Sequence, residues 1–92
     1  MSPDHDTISI EELAQASGLT VAEVRELVEY GALRPQGEAI FSVRCVSCVR
    51  RAARLRDDFE LEMPALALLV TFLERIETLE LEMRQLSARL PR

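Results

Sequence analysis

The sequence contains no lysine, so its positive charge comes from 11 arginines, and 16 acidic residues bring the net charge to −5. The phosphate backbone of DNA would on average repel such a chain, which argues against a free-standing DNA-binding protein. Aromatic residues are also few, with one tyrosine, three phenylalanines and no tryptophan, although 48% of the residues are hydrophobic. This aliphatic composition favours an all-α protein over a β-sandwich. A chain of 92 residues forms one domain, or a small domain plus one long helix.

Long apolar segments and catalytic motifs are missing as well. No apolar run approaches the about 18 residues of a membrane span, and the opening MSPDHDT is polar and acidic, so we expect a cytoplasmic protein without a signal peptide. The single histidine, His5, lies in residues 1–8, which we predict to be a flexible leader. Because neither a Ser-His-Asp set nor a glycine-rich phosphate loop is present, we expect no enzymatic activity and no cofactor.

Two successive capping boxes predict two short helices. In such a box a Ser or Thr side chain accepts a hydrogen bond from the backbone N–H of the residue three positions later. A Glu at that later position accepts a hydrogen bond from the backbone N–H of the Ser or Thr. Gly18 between the boxes is predicted to end the first helix in the left-handed conformation. Ala14 and Val24 fit a close helix crossing, so the segment predicts a helix-turn-helix. The boxes are Ser9 with Glu12 and Thr20 with Glu23.

The rest of residues 9–62 is predicted to complete a winged helix-turn-helix domain. Pro and Gly within residues 34–41 indicate a turn or a small two-stranded wing. Ser42 is predicted to cap a third helix that runs to about Asp58. This helix is rich in arginine, and pairing of Arg51 and Arg54 with the following aspartates is the simple interpretation, with a binding patch as the alternative.

Residues 63–92 are predicted to form one long helix that begins at about Pro64, because proline is tolerated in a first helical turn. Apolar residues recur there at spacings of 3, 4, 3, 3, 4, 3 and 4, which predicts a coiled-coil seam with a short stammer around Ile76. We expect this helix to be the stalk of a homodimer, and folding back onto its own domain is the alternative. The predicted seam begins at Leu66 and continues through Leu69, Leu73, Ile76, Leu79, Met83, Leu86 and Leu90.

The two cysteines, Cys45 and Cys48, form a C-x-x-C pair. Such a pair can bind zinc or form a redox disulfide, but zinc needs two further ligands. On a helix either thiol can instead pack in the core as a small apolar group. We favour core packing and no metal site, and keep a zinc or redox sensor as an alternative.

The first half of the chain resembles the MerR-like regulators, whose opening pattern is matched by ISIEELAQASGLTVAEVRELVEYGAL. Members of that family typically place an Arg and two Tyr in the second helix, whereas Arg25 here is followed by Glu26 and Leu27. A divergent DNA-binding transcriptional regulator is therefore an alternative function. It would use Thr20, Glu23 and Arg25 at bases, with Arg34 and Arg44 near phosphates.

The second half resembles the CbpM-type chaperone modulators, on the residues RRAARLRDDFELEMPALALLVTFLERIETLELEMRQLSARL. That resemblance implies binding to the J-domain of a CbpA-like Hsp40 co-chaperone, with inhibition of its Hsp70 stimulation and of its DNA binding, and an association with the nucleoid through that partner. It also implies that the target presents a basic helix, which an acidic surface could bind by charge complementarity. The predicted partner-binding residues are Glu11, Glu12, Glu23, Glu26 and Glu29. The alternative interpretation is that these carboxylates only form a solvated helix face.

Overall fold

The computed structural model describes residues 6–90, which form four helices and one two-stranded sheet. His5 and the rest of residues 1–5 lie outside that range, so the predicted flexibility of this part of the leader concerns residues that are not described. The elements in chain order are β1 (Thr7–Ser9), α1 (Ile10–Ser17), α2 (Val21–Glu29), β2 (Ile40–Ser42), α3 (Cys45–Phe59) and α4 (Met63–Arg89).

The structure is mostly helical, as predicted, and contains one small two-stranded sheet that begins before the predicted start of the domain. Strands β1 and β2 pair antiparallel, with Thr7 opposite Ser42 and Ile8 opposite Phe41. Residues 7 and 8 therefore belong to the folded domain, although we predicted it to begin at position 9. Residues 34–41 do form a turn, closed by the N–H of Gln36, which donates to the carbonyl of Ile40 at 2.8 Å. The sequence did not reveal this sheet for two reasons. The strand that pairs with β2 comes from the N-terminal end of the domain, and a strand of three residues is too short to show an alternating pattern.

Helices α1 and α2 form the predicted helix-turn-helix. Both capping boxes are present, with Ser9 and Thr20 as the N-cap residues. Gly18 ends α1 with φ 81°, a left-handed conformation that an L-residue adopts only with strain. At the crossing of the two helices, Ala14 and Val24 are buried, as the spacing predicted.

Helix α3 begins two residues later than predicted. Ser42 is extended, as an N-cap residue usually is, and pairs with Thr7. Its hydroxyl accepts from the N–H of Arg44, but Val43 and Arg44 form a turn and the regular helix starts at Cys45. At its other end Glu60 adopts the left-handed conformation and directs the chain toward α4.

One hydrophobic core joins all four helices and β2. It is aliphatic apart from Phe41, and burial of these side chains supplies the main stabilising free energy. The largest side chains with less than 2% of their surface exposed are Leu13, Val24, Leu27, Val49, Leu66 and Val70.

Helix α4 contributes to this core only through its first half, in which Leu66, Ala67 and Val70 are buried. At about 1.5 Å per residue, the 27 residues of α4 extend for roughly 40 Å. The helix is therefore longer than its contact with the domain core. Within residues 6–90 no helix combines the length and the apolar character that crossing a membrane demands.

Candidate protein-interaction surfaces

The exposed face of α2 is acidic at its C-terminal end. Glu26 and Glu29 are exposed, and within residues 6–90 their carboxylates form no hydrogen bond or ion pair. Tyr30 follows them with 54% of its surface exposed. Two unpaired carboxylates beside an exposed aromatic ring form a surface that can attract a cationic partner and pack against it.

Glu23, in contrast, is already engaged within the domain. One carboxylate oxygen accepts from the N–H of Thr20 at 2.9 Å, and the other is paired with the guanidinium of Arg56 on α3. Both side chains of this ion pair are mostly covered, with 28% and 18% of their surfaces exposed. The structure therefore separates Glu23 from Glu26 and Glu29, although the sequence spacing groups all three.

The two predicted acidic residues of α1 also differ. The Glu12 carboxylate accepts from the N–H of Ser9 at 3.1 Å, which completes the first capping box. Glu11 is exposed and its carboxylate has no bonded partner among the described residues. Of the five predicted contact residues, Glu11, Glu26 and Glu29 have carboxylates that are not used by the fold.

The predicted DNA-reading set is also mostly engaged. The Thr20 hydroxyl accepts from the N–H of Glu23, and Glu23 is held as described above. Arg25 remains exposed on α2, whereas Arg34 and Arg44 line a cleft between α3 and α4. Side chains that accept hydrogen bonds from the backbone N–H groups at a helix N-terminus are not available to bind the edges of DNA bases. The arrangement therefore does not favour base recognition by α2.

The arginines of α3 pair differently from the simple prediction. Arg51 reaches Glu77 on α4 at 3.4 Å, and Arg56 pairs with the adjacent Asp57 as well as with Glu23. Arg54 has no acidic partner within residues 6–90. The prediction of Arg51–Asp and Arg54–Asp pairs within α3 is therefore wrong, because Arg51 pairs with a residue of α4 and Arg54 pairs with no described residue.

The two thiols face the same cleft from the start of α3. Burial, together with the negative charge of Glu74, raises the pKa of Cys45 to about 11. Burial and a hydrogen bond with Glu77 raise the pKa of Cys48 to about 12. Metal binding and disulfide exchange both use the thiolate, which is scarce at neutral pH when the pKa is this high. Within residues 6–90 no group of three or more His, Cys, Asp or Glu side chains is arranged to hold a metal ion.

Helix α4 presents an exposed apolar stripe, and the stripe differs from the predicted seam in one decisive position. Leu73 is partly buried and packs against the domain core, so less of it is available to a second chain than of its neighbour Phe72. Phe72, the adjacent residue, points outward with 55% of its surface exposed. Leu66 is fully buried, and Leu69 is partly buried against the core. The remaining predicted members are all exposed, and they are Ile76, Leu79, Met83, Leu86 and Leu90.

With Phe72 in place of Leu73 the stripe has regular heptad spacing. From Leu69 onward its members then step by 3, 4, 3, 4, 3 and 4, and the stammer that we predicted around Ile76 is unnecessary. The sequence alone contained this register as well. It was missed because Phe72 and Leu73 are both apolar, and only the packing of the domain shows which of the two faces outward.

Comparison with known proteins adds independent information. The family model described as "MerR HTH family regulatory protein" matches residues 8–88. The Salmonella arizonae protein named Chaperone modulatory protein CbpM is 37% identical over 90 residues, covering 94% of this chain and 89% of its own length. Proteins of the same name from Salmonella paratyphi B and Salmonella newport are 36% identical over the same spans.

The chain belongs to the CbpM family of chaperone modulatory proteins. The CbpM resemblance and the MerR-like helix-turn-helix that we predicted from sequence are thereby confirmed. This CbpM relationship supports a chaperone-modulating role for the chain. The names of the relatives and of the matching family also point to regulation rather than to catalysis.

Proposed function

We propose that this chain binds the J-domain of a CbpA-like Hsp40 co-chaperone and inhibits both its stimulation of Hsp70 and its binding to DNA. Membership of the CbpM family is the observation that carries this proposal. It is supported by a helix-turn-helix whose second helix exposes carboxylates where a DNA-binding protein would expose cations.

The proposed contact surface is the C-terminal half of α2, formed by Glu26, Glu29 and Tyr30. A basic helix of the J-domain would meet two carboxylates that no other described group neutralises. Charge complementarity of this kind accelerates association and makes the affinity fall as salt rises. Glu11, exposed on α1, is a further candidate, whereas the carboxylates of Glu12 and Glu23 are used by the fold.

A homodimer is the second part of the proposal. An exposed apolar stripe of six residues with heptad spacing, from Phe72 to Leu90, is what one helix of a coiled coil presents to another. A second copy of α4 would cover the stripe from Phe72 to Leu90 and remove its apolar surface from water.

Binding of the purified full-length chain to a purified J-domain tests the proposed function. We expect saturable binding by calorimetry at about 50 mM salt, weakening at about 300 mM salt because the Debye length shortens. We also expect the chain to suppress the J-domain-stimulated ATPase activity of Hsp70. Retention of duplex DNA by the chain with no affinity for the J-domain would instead support the transcriptional regulator.

A further inference from the structure

A cleft of about 650 Å³ lies between the first half of α3 and the second half of α4. Four arginines from different segments line it: Arg34 follows α2, Arg44 precedes α3, Arg51 is on α3 and Arg84 is near the end of α4. The proposed J-domain surface on α2 contributes no residue to this cleft. The cleft is therefore a separate feature of the molecule.

The charges in the cleft are incompletely compensated. Glu77 is shared between Arg51, at 3.4 Å, and the hydroxyl of Ser47, at 3.1 Å. Arg44 and Arg84 form no ion pair with any residue of the described range. Two unpaired guanidinium groups at the rim of one cleft favour a ligand that carries carboxylates, since arginine binds them with directed, charge-assisted hydrogen bonds.

Arg34 belongs to the same rim but is closer to an acidic side chain. It lies near Glu74, whose pKa is raised mainly by burial and also by Glu77, and the positive charge of Arg34 opposes that rise. A ligand carboxylate at this position would compete with Glu74 for Arg34. Arg44 and Arg84 are accordingly the stronger candidate contacts.

The shape and the remaining charges select among anionic ligands. One wall of the cleft is the face of α4 that carries Glu74, Glu77 and Glu80, and these would repel the closely spaced phosphates of a nucleic acid. A peptide can place its carboxylates at the arginines and leave neutral groups opposite the glutamates. The volume of the cleft is also large enough to hold a few side chains of a peptide.

We propose that the cleft between α3 and α4 binds an acidic peptide segment, with Arg44 and Arg84 as the main contacts and Arg34 as an auxiliary one. The chain would then have two docking surfaces of opposite sign: an acidic surface on α2 and an arginine-lined cleft between α3 and α4. This inference does not depend on the J-domain interaction, because it rests on a different set of residues.

Fluorescence anisotropy with a labelled Glu/Asp/Gly octapeptide tests the proposal on the full-length chain. At about 50 mM salt we expect saturable binding that the double variant Arg44→Gln, Arg84→Gln weakens at least about tenfold, since each lost charge-assisted contact is worth up to about a factor of ten. Arg34→Gln alone should weaken it by about threefold. The control double variant Arg25→Gln, Arg89→Gln has the same net charge and changes arginines outside the cleft, so it should change the affinity less than about twofold.

Three results would overturn the proposal. One is the absence of saturable peptide binding to the native chain. Another is an equal loss of affinity in the two double variants, which would mean that only net charge matters. The third is a labelled 12-base-pair duplex that binds as tightly as the peptide and loses affinity in the same Arg44 and Arg84 variant, because the cleft would then be a nucleic-acid site.

Discussion

The guanidinium of Arg56 on α3 pairs with the carboxylate of Glu23 in the first turn of α2, across 33 positions of the chain. The Glu23 carboxylate also accepts a hydrogen bond from the N–H of Thr20, so one side chain caps α2 and joins it to α3. The helix that would read DNA in a helix-turn-helix protein is thereby attached to the domain at its N-terminal end. This contact distinguishes a structural glutamate from the exposed glutamates that follow it on the same helix.

Replacing Glu23 by Gln should destabilise the domain by about 1–2 kcal/mol, because the amide keeps the cap but loses the partly buried ion pair. We expect the Tm to fall by about 5–10 °C for a chain of this size. Circular dichroism recorded during thermal unfolding measures this change in Tm. Glu26→Gln is the matched control on the exposed side of α2 and should change the Tm by less than about 2 °C. Equal effects at the two positions would show that the Arg56 contact is unimportant.

Reversing Glu26 and Glu29 to Lys together should weaken J-domain binding by at least about tenfold at low salt and leave the helical content unchanged, because neither carboxylate is used by the fold. Calorimetry with the purified J-domain measures the affinity. Glu38→Lys with Glu82→Lys makes the same change in net charge on the turn before β2 and on α4, and should have little effect. If affinity persisted in the first variant, the contact would have to lie on another face, such as that of α3.

The adjacent residues Phe72 and Leu73 should respond differently to substitution by Ser. Phe72→Ser should lower the mass measured by light scattering toward that of a monomer, because this side chain belongs to the exposed stripe. Leu73→Ser should instead lower the Tm, because the side chain packs on the domain core. Met83→Ser lies in the exposed part of the stripe and should behave like Phe72→Ser. A native chain that is already monomeric at micromolar concentration would refute the dimer.

Replacing Glu74 by Gln should stabilise the domain at pH 7. Burial raises the pKa of this carboxyl group, so its ionised form is less favourable in the folded than in the unfolded chain. We expect a higher Tm than that of the native chain at pH 7. The gain should shrink as the pH falls toward 4, because the native side chain is then neutral as well. A constant gain at all pH values would indicate a packing effect, and Glu38→Gln, in an exposed turn, controls for net charge.

The thiols of Cys45 and Cys48 should react slowly with Ellman's reagent at pH 7.5. Their pKa values, raised to about 11 and 12, leave less thiolate than at the usual 9.0, and Cys48 is also buried. We expect modification at least about tenfold slower than in denaturant, with a rate that rises with pH. The unfolded chain releases these protons at lower pH, so stability should also decline above about pH 9. Rapid modification of the folded chain at pH 7.5 would restore the redox interpretation.

Local patterns in the sequence were sufficient for much of the fold. The capping boxes at Ser9 and Thr20 involve residues three positions apart, and the start of α4 at about Pro64 depends on proline itself, so each could be recognised without a partner. The core positions of α1 and α2 followed from helical periodicity. The acidic character of α2 was likewise visible in the sequence.

The sequence by itself determined the helices and their apolar faces, because capping and periodicity act over one or two turns. Only the tertiary structure decided which of two neighbouring apolar residues, Phe72 or Leu73, faces outward, since that depends on where the domain packs against α4. It also decided that Glu23 belongs to the fold, through a partner 33 residues away, and that β1 pairs with β2. Contacts between distant segments depend on the path of the whole chain, and no local spacing encodes them.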